Sequence, residues 1–356
     1  MPRPNRSFRT LAAMAGASVV LILAAGPALA CGGLIGPNGA VNLLRTTTFA
    51  GYHQGNEHYV TAFEFAGGGG AFGSLTPLPG VPTSVEKGGD WTLQRLRAET
   101  EPEERARFFA PLAAGESRDS AEVLLEVTID ALDLTVLRGG ADEVGRWATE
   151  HGFRLPPDAP EVLEFYAARS QIFMAAAFDP DAAAERGQQI GDGTAVHITI
   201  PTDDPWVPLR ILALGKTGAE PVEADVYLLT DASPTLLPAP DGFNGMTLDH
   251  SAKASPELLA DLRSDRGMEW VPETAWLTKV GIDADASQLG FDLAVDETGA
   301  GSPSRVDAGL DLPGAVDPTV AATIRWAVGL SFIVVGVGGI LLLITRQPSG
   351  GGLRPA

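Results

Sequence analysis

The strongest indication of the fold comes from residues 40–65, AVNLLRTTTFAGYHQGNEHYVTAFEF. Residues 40–52 and 58–65 are rich in threonine, aromatic and apolar side chains, a composition typical of β-strands. The residues between them centre on Gly55, in a Gln-Gly-Asn sequence that favours a tight turn. The sequence therefore predicts a β-hairpin, with its two strands side by side in a sheet.

The rest of the chain contains further predicted strands together with several short helices. Asp90 and Ser255 are the predicted N-caps of two of these helices. Strands that occur in runs, with short helices between them and no regular βαβ alternation, indicate an α+β domain with antiparallel-rich sheets. Strands are predicted over 72–78, 122–137, 194–200, 206–214, 223–230 and 274–281, helices over 89–99, 142–151, 160–169 and 256–263, and 171–178 fits either type.

The N-terminus has the three parts of a secretory signal peptide. Three arginines precede an apolar run over 11–23, and small residues follow up to Ala30. The apolar run is shorter than the roughly 20 residues that a membrane helix needs. We predict that residues 1–30 are removed between Ala30 and Cys31. Cys31 would then begin the mature chain, with lipidation of this cysteine as the alternative outcome.

A second apolar segment, WAVGLSFIVVGVGGILLLIT, covers residues 326–345. It contains no charge and is flanked by Arg325 and Arg346, so about 20 helical residues can span the hydrocarbon core of a bilayer. With a signal peptide at the start, the N-terminal side is predicted outside the cell and the basic tail, 346–356, in the cytoplasm. The protein is thus expected in the plasma membrane, as a single-pass protein.

Between these two apolar segments lies the predicted extracytoplasmic part. Residues 31–296 are predicted to form its α+β domain, as one unit or two subdomains. Residues 297–325 are rich in Gly, Pro, Ser and Asp, and they predict a flexible stalk before the membrane helix. Cys31 is the only cysteine, so no internal disulfide can form and the domain must be stabilised by its core.

The charge distribution narrows the range of partners. The chain has 45 acidic residues against 25 lysines and arginines, and every acidic residue lies between Cys31 and Ile324. Such a surface repels nucleic acid and anionic lipid head groups, so no nucleic-acid partner is expected. Cations, basic proteins and simple solubility remain open as explanations.

Several motifs resemble one family. They are Cys31-Gly32-Gly33, Glu57-His58-Tyr59-Val60, PLPGVPTSVEKGGDWTLQRL at 77–96, LDLTVLRGGADEVGRWATEHGF at 132–153 and Trp206-Val207-Pro208-Leu209-Arg210. Together they resemble the DUF2330 family of bacterial exported proteins. The resemblance implies an envelope protein with a signal peptide and no assigned activity. No functional residue can therefore be carried over from it.

The candidate metal ligands are His53 and His58, which the predicted hairpin brings across from each other. Two imidazoles with an adjacent carboxylate, Glu57, could hold zinc, although Glu57 should point to the opposite face from His58. The alternative is a hydrated polar hairpin end. Asp283-Ala284-Asp285 opens like a calcium loop, but Gln288 stands where that loop needs glycine. No cofactor is predicted, with zinc and calcium as the alternatives.

Two other carboxylate pairs do not indicate a metal site. Asp179-Pro180-Asp181 and Asp203-Asp204-Pro205 are explained by turn formation without a metal. No nucleophile elbow, phosphate loop or clustered histidine motif is present in the sequence. The leading hypothesis is a tethered, non-catalytic module that binds an envelope protein or wall component. The alternative is a membrane-anchored envelope enzyme, metal-assisted, that acts on wall or protein substrates.

Overall fold

The computed structural model of the protein describes residues 33–40, 46–63, 71–101, 123–187, 194–242 and 244–312. The strands are β1 (Gly33–Gly36), β2 (Gly39–Ala40), β3 (Thr46–His53), β4 (Asn56–Phe63), β5 (Phe72–Leu78), β6 (Ser84–Lys87), β7 (Val123–Ile129), β8 (Leu132–Arg138), β9 (Ile172–Phe178), β10 (Thr194–Pro201), β11 (Trp206–Val207), β12 (Pro221–Thr230), β13 (Thr235–Leu237), β14 (Met246–Lys253), β15 (Trp276–Asp285) and β16 (Leu293–Asp296). The α-helices are α1 (Thr92–Thr100), α2 (Ala141–Glu150), α3 (Ala159–Ala167), α4 (Pro180–Glu185) and α5 (Pro256–Ser264). Short 3-10 helices cover Arg210–Ala213 and Ala286–Gln288.

The strands form three sheets. A seven-stranded sheet has the order β14-β15-β12-β3-β4-β10-β6, a six-stranded sheet the order β2-β1-β5-β9-β8-β7, and a small sheet the order β11-β16-β13. Neighbouring strands are antiparallel except for β12 and β3, which run parallel. The predicted α+β class, with antiparallel-rich sheets and short helices, is confirmed for the described residues.

The seven-stranded sheet lies between two hydrophobic cores, because successive residues of a strand point to opposite faces. On β3, Ala50 belongs to the larger core and Phe49 to the smaller one. The larger core also takes in the six-stranded sheet and the buried faces of α2 and α3. The smaller core is covered by α1 and α5, whose Leu96 and Leu258 are fully buried. Each such leucine contributes about 1.5–3 kcal/mol of burial free energy.

The strand predicted over 206–214 and the N-cap predicted at Asp90 were both wrong, because in each place a carboxylate from far along the chain determines the local structure. The strand predicted over 206–214 ends at Val207, where Asp292 accepts hydrogen bonds from the amides of Leu209 and Arg210 and turns the chain into a 3-10 helix. The segment 171–178, left open between strand and helix, is β9.

The start of α1 shows the same effect. Asp90 was the predicted N-cap, but the helix begins at Thr92 and no neighbouring side chain caps it. Instead, Asp265 accepts hydrogen bonds from the amides of Trp91 and Thr92 and from the Thr92 hydroxyl. The carboxylate satisfies donors that the first turn leaves unpaired and faces the positive end of the helix dipole. Ser255, by contrast, caps α5 as predicted.

The chain after β16 also differs from the expected flexible segment. Ala308 and Leu310 are buried, and Ala308 accepts a hydrogen bond from the Asp292 amide. Gly309, with φ of +71°, lies so close to Phe165 that a Cβ would be 2.1 Å from the ring. Residues 308–310, within the predicted stalk, therefore pack on the folded domain.

The signal peptide, Cys31, the rest of the stalk, the segment 326–345 and the tail lie outside the described residues. Within the described ranges, no helix has both the length and the apolar character required to cross a bilayer.

Candidate functional site

The predicted hairpin is formed by β3 and β4. Gln54 and Gly55 occupy its two-residue turn with φ of +53° and +75°, the left-handed pair that a tight hairpin turn requires. Tyr52 pairs with Glu57 and Gly51 pairs with His58 across the two strands. Because paired residues share a face and successive residues alternate, the hairpin places Tyr52 and Glu57 on one face and His58 on the other. The predicted opposition of Glu57 and His58 is therefore present.

On the smaller-core face, His58 belongs to a buried aromatic cluster. Its Nδ1 lies 3.1 Å from Nε2 of His197 on β10, within hydrogen-bond distance. Its ring stacks on Trp270, with 3.9 Å between ring centroids and planes 4° apart. Gly51 makes room for this indole, since a Cβ there would lie 2.1 Å from Trp270. The cluster joins β4, β10 and the segment that follows α5.

The two imidazoles of this cluster are electrically neutral at physiological pH. Burial, followed by the nearby imidazoles of His197 and His53, lowers the pKa of His58 to about 3. Burial also lowers the pKa of His197 to about 4, although Glu269 acts in the opposite direction. A neutral pair needs one ring to donate and the other to accept, which the single short contact provides. Such weak bases suit packing better than proton transfer near pH 7.

His53 lies on the same face as His58 but has a different partner. Its Nδ1 is 2.8 Å from a carboxylate oxygen of Asp231, which follows β12. Among the described residues, no three histidine, cysteine or acidic side chains are grouped so that they could hold one metal ion. Zinc at His53 and His58 stays a prediction. Asp283 and Asp285 lie at the end of β15, where Ala284 between them points into the larger core.

On the larger-core face, Tyr52 and Glu57 form an unusual pair. Glu57 is fully buried, and neither of its carboxylate oxygens has a hydrogen-bond partner of ordinary geometry. The hydroxyl of Tyr52, which is 3% exposed, has the Glu57 carboxylate as its neighbour, at a geometry outside that of an ordinary hydrogen bond. Burial raises the pKa of Glu57 to about 8, and the nearby Tyr52 hydroxyl offsets part of that rise. Burial and then the charge of Glu57 raise the pKa of Tyr52 well above its ordinary value.

Two adjoining clefts open beside the hairpin end. The first, of about 90 Å³, is called here the hairpin cleft, and the second, of about 140 Å³, the loop cleft. They share Pro205 and Glu297. The hairpin cleft is lined by Tyr52, His53, Gln54, Gly55, Asn56, Thr202, Pro205, Asp231, Glu297 and Thr298. The loop cleft is lined by Asp203, Asp204, Pro205, Val295, Asp296, Glu297, Gly301, Ser302, Pro303, Ser304 and Asp307.

Together the two clefts carry a dense negative charge. Six carboxylates line them, with no lysine or arginine among the lining residues. Burial, and then the neighbouring carboxylates of Asp307 and Asp203, raises the pKa of Asp204, as expected where like charges crowd. The carboxylate pair Asp203-Asp204, which the sequence explained as a turn, therefore belongs to this acidic surface. Both clefts are smaller than the roughly 300–1,000 Å³ of ordinary small-molecule sites.

A different kind of buried charge holds the small sheet to α3. One oxygen of Asp292 accepts hydrogen bonds from the Tyr166 hydroxyl and from two backbone amides, and the other meets the guanidinium of Arg169. Arg169 also lies 4.1 Å from the centre of the Trp206 ring. Sequence reasoning missed this network. Its members are far apart along the chain, and nothing in their local sequence marks them.

Solved structures show slight likeness to the protein. Baculovirus P35 matches with a TM-score of 0.34 and 10% identity, over 71% of this chain and 91% of that chain. The caspase-8/P35 complex matches with 0.33 and 9% identity, over 70% and 90%. A mutated baculovirus P35 after caspase cleavage matches with 0.35 and 7% identity, over 72% and 98%. Likenesses this weak carry no argument about function. No curated protein matches the sequence.

One family model, in contrast, covers most of the chain. The model described as "Uncharacterized protein conserved in bacteria (DUF2330)" matches residues 25–295. This range includes the hairpin, the histidine pair and three of the six cleft carboxylates, Asp203, Asp204 and Asp231, and it confirms the resemblance that the sequence motifs indicated. The chain belongs to the DUF2330 family.

Proposed function

We propose that the protein is a membrane-tethered envelope module whose folded domain binds a positively charged partner outside the cell. The observation that carries the proposal is the continuous acidic surface of the hairpin and loop clefts, with its six carboxylates and no lysine or arginine. Like charges held this close repel one another, so a cationic partner relieves the repulsion when it binds.

The tether is supported by the sequence. A signal peptide over residues 1–30 directs the domain outward, and an uncharged apolar segment over 326–345 is long enough to span the bilayer. Residues 313–325 connect the described domain to that segment. A domain held near the membrane surface meets partners at a high effective concentration, so moderate affinity is sufficient for binding.

The partner is expected to be an envelope protein or a wall component with exposed basic groups. Electrostatic complementarity of this kind mainly raises the association rate and selects partners, and its strength falls as salt screens the charges. The acidic surface disfavours nucleic acid and anionic lipid. Tethering and acidity together thus define a binding module, with no chemical step required of the residues that line the clefts.

The test compares crosslinked partners of two full-length variants in living cells. The first removes three carboxylates of the loop cleft, as Asp203→Asn, Asp204→Asn and Asp307→Asn. The control removes three exposed carboxylates elsewhere and so has the same net charge, as Glu126→Gln, Glu150→Gln and Glu185→Gln. The proposal expects a basic partner that the wild type and the control capture and the cleft variant loses. Equal capture by both variants, or capture of no partner by any form, would overturn it.

The predicted membrane topology is tested by protease accessibility. Protease added to cells stripped of their wall should digest the acidic domain and leave the C-terminal tail intact. A domain that survives while an external control protein is digested would place it on the wrong side of the membrane for this function.

A further inference from the structure

A lysine is buried on the smaller-core face of the seven-stranded sheet. Lys279 lies on β15, and its side chain is 6% exposed. Its Nζ meets two carboxylates, Oε1 of Glu101 at 2.9 Å and Oδ1 of Asp225 at 3.3 Å. A lysine is almost never buried to this extent unless it is paired. The two partners differ, because the side chain of Asp225 is 1% exposed and that of Glu101 is 40% exposed.

The sheet holds the lysine and the buried carboxylate on one face. β12 and β15 are antiparallel neighbours, with Tyr227 opposite Lys279 and Asp225 opposite Gly281. Paired residues share a face, and so do alternate residues of one strand, so Asp225 and Lys279 are diagonal neighbours on the same side of the sheet. The ring of Tyr227 lies 5.7 Å from Nζ. Backbone pairing therefore holds the amine and the carboxyl group next to each other.

Glu101 brings a second carboxylate to this pair. It follows α1 directly, and its contact with Nζ has the length of a charge-assisted hydrogen bond, whereas the Asp225 contact is longer than such a bond. Burial lowers the pKa of Lys279, but the hydrogen bond to Glu101, followed by Tyr227 and Asp225, more than offsets this effect, so the pKa is raised. The lysine is therefore an ammonium group whose nearest proton acceptor is Glu101.

We propose that Lys279 and Asp225 form an intramolecular isopeptide bond, with Glu101 as the group that carries the protons. The proposal is independent of the proposed function and assigns a covalent modification to the folded domain. Cys31 is the only cysteine, so no internal disulfide can cross-link the domain. An amide between two neighbouring strands supplies a covalent cross-link that needs no cysteine and no oxidant.

The reaction is a condensation whose atoms all come from the protein. Glu101 takes a proton from the Nζ ammonium, and the Asp225 carboxylate takes up a proton because a carboxyl group removed from water favours its uncharged form. The neutral amine then attacks Cγ, which lies one bond beyond Oδ1. The N–C bond forms and one C–O bond breaks. Two protons pass from the nitrogen to the departing oxygen, which leaves as one water molecule, and Glu101 ends as it began.

The site favours this bond over its hydrolysis. A well-oriented intramolecular reaction reaches effective molarities of about 10⁵–10⁸ M. Because Asp225 is 1% exposed, water has little access to the new amide. A buried ion pair has also lost its hydration, and condensation replaces both charges by one neutral amide.

The experiment is peptide mapping of the full-length protein, purified in non-ionic detergent and kept folded at pH 7 for a day. After denaturation trypsin cleaves beside lysine and arginine, so Asp225 lies in peptide 217–253, and cleavage at Lys279 separates peptides 267–279 and 280–305. We expect one branched product, in which 217–253 is joined to an uncut 267–305 and the mass is lower by one water molecule. Fragmentation of this product should place the branch at Lys279 and Asp225.

Two variants and a control assign the roles. Lys279→Met removes the amine, and Glu101→Gln removes the proton carrier while keeping its shape, so neither should give the branched product. The control, Lys253→Met, removes an exposed lysine of β14 and should keep the branch. Circular dichroism checks that each variant is folded. The cross-link closes the chain between β12 and β15, so the thermal midpoint of Glu101→Gln should lie about 10 °C below that of the wild type.

Three outcomes would overturn the proposal. Peptides 217–253, 267–279 and 280–305, recovered separately at full mass from the folded wild type, would show that Lys279 and Asp225 remain an ion pair. A branch that persists in Lys279→Met, or that fragmentation places at the buried pair Lys87 and Asp130, would assign the bond elsewhere. A Glu101→Gln protein that forms the bond as fully as the wild type would remove Glu101 from the reaction.

Discussion

Replacement of Glu57 by glutamine is expected to stabilise the protein, by an amount that increases with pH. The carboxyl group is fully buried on the larger-core face, and neither oxygen has a hydrogen-bond partner of ordinary geometry. Burial raises its pKa from the ordinary 4.5 to about 8. The folded protein therefore holds a proton at neutral pH that the unfolded chain gives up. Glutamine has nearly the same shape and never ionises, so it avoids this difference between the two states.

The magnitude follows from proton linkage. Between pH 4.5 and about 8 the unfolded chain binds fewer protons at this position than the folded one, so stability falls as the pH rises. The fall amounts to about 1.4 kcal/mol per pH unit for one proton. Relative to the wild type, the free energy of unfolding of Glu57→Gln should be higher by under about 1 kcal/mol at pH 5, by about 3 kcal/mol at pH 7 and by about 5 kcal/mol above pH 8.

Urea unfolding at pH 5, 7 and 8.5, followed by tryptophan fluorescence, measures this gain. Glu126→Gln on the edge strand β7 is the matched control, because its side chain is exposed and stays in water in both states. The control should show no gain that grows with pH. A Glu57→Gln gain that is constant across the three pH values would refute the reasoning, since it would mean that the carboxyl group is neither neutral nor isolated in the folded protein.

Three further predictions concern the capping, packing and titration of other residues. Asp265→Ala should lower the free energy of unfolding by about 2–4 kcal/mol, because it removes the cap of α1 and leaves buried amide donors unpaired. A decrease below about 1 kcal/mol in urea unfolding would contradict the capping role. Gly51→Ala should lower the free energy of unfolding by about 1–3 kcal/mol, because the added Cβ displaces Trp270. In the control Gly218→Ala the Cβ meets open space, so its thermal unfolding should be close to that of the wild type. Burial keeps the pKa of His197 at about 4 against 6.5 in the unfolded chain, so wild-type stability is lost as the pH falls below 6.5. His197→Leu should reduce this acid-side slope by about 1.4 kcal/mol per pH unit, and equal slopes would show that the imidazole is not neutral in the fold.

The hairpin and most helices could be predicted because their signals are local. Gly55 in a two-residue turn, between runs of strand-forming residues, defines both the turn and the pairing of the strands that flank it. Ser255 caps α5 through its own amide neighbours, so a four-residue window contains the whole interaction. In each case the stabilising contact lies within a few positions of the residue from which it can be predicted.

The rest of the fold depends on contacts that no local window contains. Asp265 caps a helix that begins 173 residues earlier, so the nearer Asp90 looked like the cap. β3 pairs in parallel with β12, and neither strand carries a local signal for that pairing. The same holds for His58 and His197, which are 139 residues apart. Sequence reasoning considered His58 with His53 because a hairpin relates them directly, while the structure gives each a partner from elsewhere.

Buried charges in this fold divide into two kinds, and the division bears on stability. Asp292 spends both oxygens on donors from the Tyr166 hydroxyl, the backbone and Arg169, so its burial holds the small sheet to α3 and leaves no capacity for a ligand. Glu57 is buried as completely, but neither of its oxygens has a hydrogen bond of ordinary geometry, and burial raises its pKa to about 8. A fold stabilised by its core gains nothing from an ionised carboxylate at this position. The gain in stability expected for Glu57→Gln, which grows with pH, therefore follows from this uncompensated burial.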